Sequence, residues 1–343
     1  MADLEKIMGV SADDIEKIMG VSKSDIEKII GVEIPSGLAW AGTRAVSAGG
    51  SNTAHGDLDR IQYKTIGASA NTVDFGDLQT TRAQHSCGGS NSTRGIWGGG
   101  ITQVGGADVY GVTDTDYITI ASTGDGTDFG DMDQAASYGT NEGCSNGTLL
   151  FSNGGYTTAP AGTQDRIEYY TIASTGNGTD AGNLNAIKST CGGSNGDSRY
   201  LVMGGYKNDS GNTDDIEYND FSTSANGSDF GNLSGATLYV GSVNSTVRSA
   251  FAVPKNQYNL NTIEYVTVAS TGNSSDFGDL STERDQVSGT SDGTTGEFFG
   301  GSGTSYIDPV NVIDKLTIGT TGNATDVGDL LENAETCGTT SGN

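Results

Sequence analysis

The sequence predicts an all-β fold: a six-bladed β-propeller with four-stranded blades and a split closing blade, behind a short α-helical leader. Three observations carry this. An Asp-aromatic-Gly-Asp-Leu core recurs with small edits at Asp74, Asp128, Asp180, Asp229, Asp276 and Asp326, the copies being 54, 52, 49, 47 and 50 residues apart. A period near 50 is that of propeller blades and not of helical solenoids. Between the copies, short strand-like stretches alternate with glycine-rich turns, and the composition agrees, with 54 glycines in 343 residues and only 17% charged side chains.

The chain divides into residues 1–34 and 35–343. The first part has its own 11-residue repeat, Leu4-Glu-Lys-Ile-Met-Gly-Val10, Ile15-Glu-Lys-Ile-Met-Gly-Val21 and Ile26-Glu-Lys-Ile-Ile-Gly-Val32. Leu4, Ile7, Met8, Ile15, Ile18, Met19, Ile26, Ile29 and Ile30 fall on one helical stripe. Gly9, Gly20 and Gly31 interrupt it, while Ser11-x-x-Asp14 and Ser22-x-x-Asp25 read as capping boxes that restart it, giving three two-turn helices. Helices that short are not stable alone, so the stripe is expected to be buried on another protein or on copies of itself, packing back on the propeller's own face being the other reading. The segment is therefore a candidate docking or oligomerisation element, ended by Pro35.

The repeat unit is clearest from Arg82 to Met132. A small-residue strand, Arg82 to Asn91, precedes an apolar one, Arg94-Gly-Ile-Trp-Gly-Gly-Gly100. Thr115-Asp-Tyr-Ile-Thr-Ile120 then alternates as a half-buried strand does, and Ala121 to Met132 supplies a turn and a short outer strand. Second strands are expected at Leu38–Trp40, Gly95–Trp97, Leu149–Phe151, Tyr200–Met203, Ser249–Phe251 and Glu297–Phe299. Third strands follow around Tyr63, Tyr117, Tyr169, Tyr218, Tyr265 and Asp314. An Arg, a small-residue strand, an apolar strand closing in Gly-Gly, an acidic-x-Tyr strand and a Thr-Gly-Asn turn resemble a kelch blade, with Phe129 where kelch repeats usually carry Trp.

The array starts at a second strand and finishes at Asn333 to Thr340 with a first strand lacking its second. The halves complement each other, so one blade is expected to join both ends and remove two sheet edges. Arg248 to Pro254 lacks the closing Gly-Gly, Ala181 and Val327 replace the aromatic, and Glu283-Arg284 reads as a shifted leading Arg.

A net charge of −26 repels phosphate backbones and anionic lipid, which sets nucleic-acid and membrane binding aside. No run of 18 apolar residues and no basic-then-apolar leader at Met1 is present, which predicts synthesis in a cytosol. Asn-x-Ser/Thr triplets such as Asn146-Gly-Thr148 then read as turn composition, not as glycosylation sites.

No catalytic constellation emerges. Cys87, Cys144, Cys191 and Cys337 read as corresponding first-strand positions. If the first strand is innermost, as the kelch resemblance implies, they would ring the channel as small buried hydrophobes. His55 and His85 are the only histidines and have no matched nucleophile. The copper-radical oxidases among kelch proteins need two His and two Tyr together, which these positions do not suggest. No sialidase-type box is complete, Ser291-Asp-Gly-Thr-Thr295 lacking the aromatic. The turns offer oxygen for Ca²⁺ at Asp125, Asp128 and Asp131, yet do not match the twelve-residue calcium loop, and Asn-Gly and Asp-Gly are also what tight turns require. The expectation is a non-enzyme with no cofactor and no metal, calcium at these turns being the alternative.

Loops between second and third strands vary most and emerge on one face, each with a tyrosine: Tyr110, Tyr156, Tyr206, Tyr258 and Tyr306. Tyrosines on variable loops over a rigid scaffold suit recognition of sugar or protein, and packing of the blade rim is the other reading. The Tyr-x-Thr-Ile-Ala-Ser-Thr-Gly-Asn units, the Arg-Gly-apolar-Gly-Gly strands and the Ile-Glu-Lys-Ile-Met-Gly-Val leader resemble kelch-like virion proteins of marine tailed phages, cyanophages in particular. That resemblance implies a structural appendage of tail, baseplate or fibre, located in the virion and present in several copies. Its leader would dock to other virion proteins and its propeller would face a host-surface glycan or protein. A kelch-type intracellular adaptor and a carbohydrate-active propeller enzyme are the alternatives.

Overall fold

The computed structural model describes residues 42–343, apart from 53–55, 86, 105–106, 140–143, 159–160, 224–225, 255–260 and 304–307. The helical repeats expected in residues 1–34, and the loop tyrosines Tyr258 and Tyr306, lie outside the described residues.

Six antiparallel sheets follow one another, one for each copy of the motif. From the inside outward, blade 1 contains Gly338–Gly342, Arg44–Ala48, Arg60–Thr65 and Val73–Asp77. Blade 2 contains Cys87–Ser90, Arg94–Gly98, Val112–Thr119 and Thr127–Ala136. In blade 3, Leu149–Asn153, Ala161–Thr171 and Thr179–Lys188 pair in turn, and a bridge from Ser145 to Leu150 takes the inner place. Blade 4 contains Gly192–Asn195, Arg199–Met203, Gly211–Asp220 and Ser228–Thr237. Blade 5 contains Gly241–Asn244, Arg248–Ala252, Thr262–Thr267 and Ser275–Asp279. Blade 6 contains Ser288–Ser291, Thr295–Phe299, Val312–Thr317 and Thr325–Asp329.

The split closing blade is as the sequence predicts. Gly338–Gly342 runs antiparallel to Arg44–Ala48 in the register Ala45 to Ser341 and Ser47 to Thr339, so the two ends of the array share one sheet and neither keeps a free edge there. Three boundaries differ from expectation. The second strand of blade 1 is Arg44–Ala48 and not Leu38–Trp40, because Arg44 and the left-handed pair Gly49-Gly50 repeat Arg94 and Gly99-Gly100. Residues 38–41 are outside the described residues. The first strand of blade 2 is confined to Cys87–Ser90, leaving Arg82 in the connection before it. Arg284 is not shifted: it stands four residues after Leu280 as Arg82 does after Leu78.

Blades 1, 2, 4 and 5 pack through the same side chains. An arginine opening the second strand lies over a third-strand tyrosine ring, Arg44 on Tyr63, Arg94 on Tyr117, Arg199 on Tyr218 and Arg248 on Tyr265, at 4.3–4.5 Å from the centroid. That tyrosine meets the motif phenylalanine edge-on in the pairs Tyr63–Phe75, Tyr117–Phe129, Tyr218–Phe230 and Tyr265–Phe277. Blades 3 and 6, whose motif carries Ala181 and Val327, lack the pair.

The motif's polar residues tie one blade to the next. The backbone N–H after each motif glycine donates to the Asn or Asp side chain of the next blade's turn: Asp77 to Asp125, Asp131 to Asn177, Asn183 to Asn226, Asn232 to Asn273, Asp279 to Asn323, and Asp329 to Asn71 around the closure, all at 3.0–3.2 Å. The glycine between is obligatory. At Gly130 φ is 138°, and a Cβ there would stand 2.7 Å from the carbonyl oxygen of Gly176 in the adjoining turn.

Candidate functional site at the channel mouth

The recurring ionisable side chains are consumed in holding blades together. The residue before the third-strand tyrosine, or its counterpart, is buried in every blade: Gln62, Asp116, Glu168, Glu217, Glu264 and Asp314. It accepts from the end of the preceding blade's outer strand, through the backbone N–H of Leu331, Asp133, Asn185, Ser234 or Ser281, or through the Gln79 amide. In blades 2, 4 and 6 the acid also meets a buried cation from the connection before its blade, Arg82 with Asp116 at 3.4 Å, Lys188 with Glu217 at 2.6 Å and Arg284 with Asp314 at 2.9 Å. In blade 1 the connection offers Ala334 and the acid is replaced by neutral Gln62, whereas blades 3 and 5 keep Glu168 and Glu264 with Ala136 and Thr237 at the connection position.

The inner strands close on one another as well. At one register position per blade stand Ser90, Ser145, Asn195, Asn244, Ser291 and Ser341. Ser90 Oγ donates to the carbonyl of Ser341 (2.7 Å), Ser145 Oγ to Ser90 (2.8 Å), Ser291 Oγ to Asn244 (2.8 Å) and Ser341 Oγ to Ser291 (2.7 Å). The Ser145 N–H donates to Asn195 Oδ1 (2.6 Å), and Ser194 Oγ to Asn244 Oδ1 (2.6 Å). Every seam is bridged, so the channel wall at this level is a belt of hydroxyls and amides already hydrogen-bonded to its neighbours.

The cysteines do not line this channel, contrary to expectation. Connections into the inner strands differ in length, so by strand register only Cys191 and Cys337 correspond, each one residue before the place that Cys87 takes, while Cys144 lies two residues beyond it. All four pack into apolar clusters. Burial pushes the thiols of Cys87, Cys191 and Cys337 up to about 12, so they stay protonated. His85 is fully buried, and burial with the adjacent Arg82 charge holds it near 3, so it is neutral. His55 is outside the described residues. The turn carboxylates are engaged locally: Asp125 Oδ1 accepts from Asp77 N, Asp128 Oδ1 from Gly130 N and Asp131 Oδ1 from Thr113 Oγ1. Among the described residues no group of three or more His, Cys, Asp or Glu is placed to hold a metal ion.

One face gathers what varies. Among the described residues, single bridges join the connection before five of the inner strands to the start of the loop between second and third strands: Ala83 to Ile101, Ser137 to Tyr156, Ser189 to Tyr206, Asp285 to Ser302 and Glu335 to Ser51. Tyr156 and Tyr206 thus occupy equivalent places, Tyr156 half-buried and Tyr206 40% exposed. Tyr110 differs, lying across from Ile101 on a projecting hairpin, Ile101–Val104 with Ala107–Tyr110, where it is 39% exposed beside exposed Val104 and Val109.

At the mouth of the channel on this face, one residue in each connection, directly after the bridged residue where there is one, is left-handed without being glycine. Gln84, Tyr138, Thr190, Tyr239, Gln286 and Thr336 have φ between 51° and 57°. Their peptide groups link in sequence around the mouth, Tyr138 N–H to Gln84 O (3.1 Å), Thr190 to Tyr138 (2.5 Å) and Tyr239 to Thr190 (3.1 Å). Two of the six are tyrosines that sequence reasoning missed. The Tyr138 hydroxyl is the point where three blades converge: Asp57 from the blade 1 loop, Asp108 and Tyr110 from the blade 2 hairpin, and Gln84 interact with it. Burial, then Tyr110, pushes this phenol up to about 12, so it remains a donor. Burial and Asp108 push Asp57 up to about 6. On the other side of Ser51, Glu335 is pushed up to about 7 and Asp285 to about 6, each by burial first. The chemistry offered is hydrogen bonding, aromatic contact and negative charge.

No family model matches the chain, and no curated protein matches it.

Proposed function

We propose that this propeller is a non-enzymatic recognition module, displayed on a virion appendage of a tailed phage, with the loop face turned toward its partner. One observation supports it above the others. The repeated acids, cations and turn residues are committed to seams between blades, whereas Tyr110, Tyr156, Tyr206 and the projecting hairpin lie on one face. A rigid ring carrying variable loops on one side is a recognition scaffold. The virion setting rests on the resemblance of the repeat units and the leader to kelch-like phage proteins, and it makes residues 1–34 the docking segment and several copies the working state. Finding the polypeptide by mass spectrometry among the structural proteins of purified particles is the expected result. Finding it only in the soluble fraction of infected cells would replace the virion reading with that of an intracellular adaptor.

A further inference from the structure

We propose that Asn146 modifies itself in the folded protein: the backbone nitrogen of Gly147 attacks its side-chain amide carbon, ammonia leaves, and water opens the resulting succinimide to an aspartyl or isoaspartyl residue. The inference is independent of where the protein resides and of what its loop face meets.

In an Asn-Gly pair no side chain covers the attacking nitrogen, and the pair occurs five times, at Asn146, Asn153, Asn177, Asn195 and Asn226. The fold treats the five differently. In four of them the attacking nitrogen is engaged, the N–H of Gly154 donating to the carbonyl of Arg166 (2.8 Å), Gly178 to Asp131 (2.8 Å), Gly196 to Arg199 (2.9 Å) and Gly227 to Asn183 (2.8 Å). There the N–H has to give up its acceptor before the nitrogen reacts, which costs a hydrogen bond. The N–H of Gly147 has no acceptor among the described residues.

The amide at Asn146 is also set up to be attacked. Its Oδ1 accepts from two backbone N–H groups, Thr148 at 2.9 Å and Leu149 at 2.8 Å, which keep the side chain folded back over its own turn. As the nitrogen attacks, negative charge gathers on Oδ1, and two donors aimed at it stabilise the tetrahedral intermediate as an oxyanion hole does. The Oδ1 atoms of Asn177, Asn195 and Asn226 each accept one backbone N–H across a seam instead, and Asn153 is fully buried. Asn146 is only half-buried and Thr148 is exposed, so water reaches the turn.

The Gly147 nitrogen gives its proton to hydroxide and bonds to Cγ of Asn146, the Cγ–Nδ2 bond breaks, and the side-chain nitrogen leaves as ammonia. One water is then added as the succinimide opens, and the chain gains one negative charge. The aspartyl product has a counterpart in the equivalent turn of blade 6, where Asp292 Oδ1 accepts from the N–H of Thr294 (2.8 Å) and of Thr295 (2.7 Å). The isoaspartyl product lengthens the main chain by one carbon and loses that cradle.

The full chain is incubated at pH 8.5 and 37 °C, once folded and once unfolded in guanidinium chloride, with circular dichroism recording that the first sample stays folded. Peptide mapping by mass spectrometry follows the one-dalton gain at each Asn-Gly pair over time, and the quantity read is the folded-to-unfolded rate ratio at each site. That ratio is expected to be near or above one at Asn146. At Asn153, Asn177, Asn195 and Asn226 it should be at least about fivefold lower, the factor that freeing one backbone hydrogen bond introduces. A ratio at Asn146 as low as at the other four, or no mass gain at Asn146 in the folded protein, would overturn the proposal.

Discussion

The side chain of Asn71 accepts a hydrogen bond from the backbone N–H of Asp329 at 3.0 Å, across 258 residues of chain. The same contact recurs at the five other seams, so the recurrent Gly-Asn and Gly-Asp turns serve the ring before they could serve a ligand. Replacing Asn71 by Ala removes the acceptor while the Asp329 N–H stays at the seam. The expected loss is about 1 kcal/mol, read as a lowered melting temperature. Addition of calcium or of a chelator should leave that temperature unchanged, since the turn oxygens already have backbone and hydroxyl donors.

The motif glycine is expected to be the least replaceable residue of the repeat. At Gly328 φ is 149° and a Cβ would stand 2.5 Å from the carbonyl oxygen of Ala70. Gly328→Ala should cost more than the roughly 1 kcal/mol of a simple conformational mismatch, because the turn of blade 1 has to move. Chemical denaturation of this variant beside Gly319→Ala, a glycine with open space around it, checks the point. Equal stability of the two variants would contradict it.

The Arg284–Asp314 pair gives a double-variant test. Both side chains are fully buried, and the carboxylate also accepts from the Ser281 N–H at 2.9 Å. Arg284→Ala alone leaves a buried carboxylate unpaired and should cost about 3–5 kcal/mol. Arg284→Ala with Asp314→Gln installs the pairing that blade 1 already uses, Ala334 with Gln62, and should recover most of that loss. A double variant no more stable than the single one would refute the equivalence of the blades.

Glu335 and Asp285 set a pH dependence at the seam between blades 6 and 1. Both have folded values above their ordinary ones, about 7 and about 6. The folded state therefore binds more protons than the unfolded chain, and these groups favour folding at low pH and oppose it as pH rises toward 7. Glu335→Gln cannot ionise, so it should be more stable than the parent at pH 8, by on the order of 1 kcal/mol after allowance for partial exposure. The two proteins should converge near pH 4.5. A variant less stable than the parent at pH 8 would show that the ionised carboxylate is favoured there.

Blade number, strand order and the split closure are legible in the sequence because the Asp-aromatic-Gly-Asp-Leu copies keep a nearly constant period and the third strands keep their alternation. The start of blade 1 at Arg44 was equally encoded, by Arg44 and Gly49-Gly50, but Trp40, matched to Trp97, drew the pattern seven residues too early, since Ser47 takes the place of Trp97. The cysteines looked equivalent only while the connections were taken as equal. They are not: from the left-handed residue to the belt residue there are six positions between Gln84 and Ser90, seven between Tyr138 and Ser145 and five between Thr190 and Asn195. Tyr110, Tyr156 and Tyr206 were visible as loop tyrosines. Tyr138 and Tyr239 were not, because a tyrosine at positive φ has no propensity signal. Their one mark is a place two residues after the position held by Arg82, Lys188 and Arg284 in other blades. The meeting of Asp57, Asp108 and Tyr138 arises from ring closure and corresponds to no spacing along the chain.

The proposed function divides the labour of the ring, the seams holding it together and the loop face meeting the partner. Binding of the fluorescently labelled chain to intact host cells tests it most directly, with Tyr110→Ala/Tyr206→Ala compared with the parent and each melting temperature recorded. Both tyrosines are about two-fifths exposed, so the account predicts an unchanged melting temperature and loss of most cell binding. Undiminished cell binding by a stably folded double variant would contradict it.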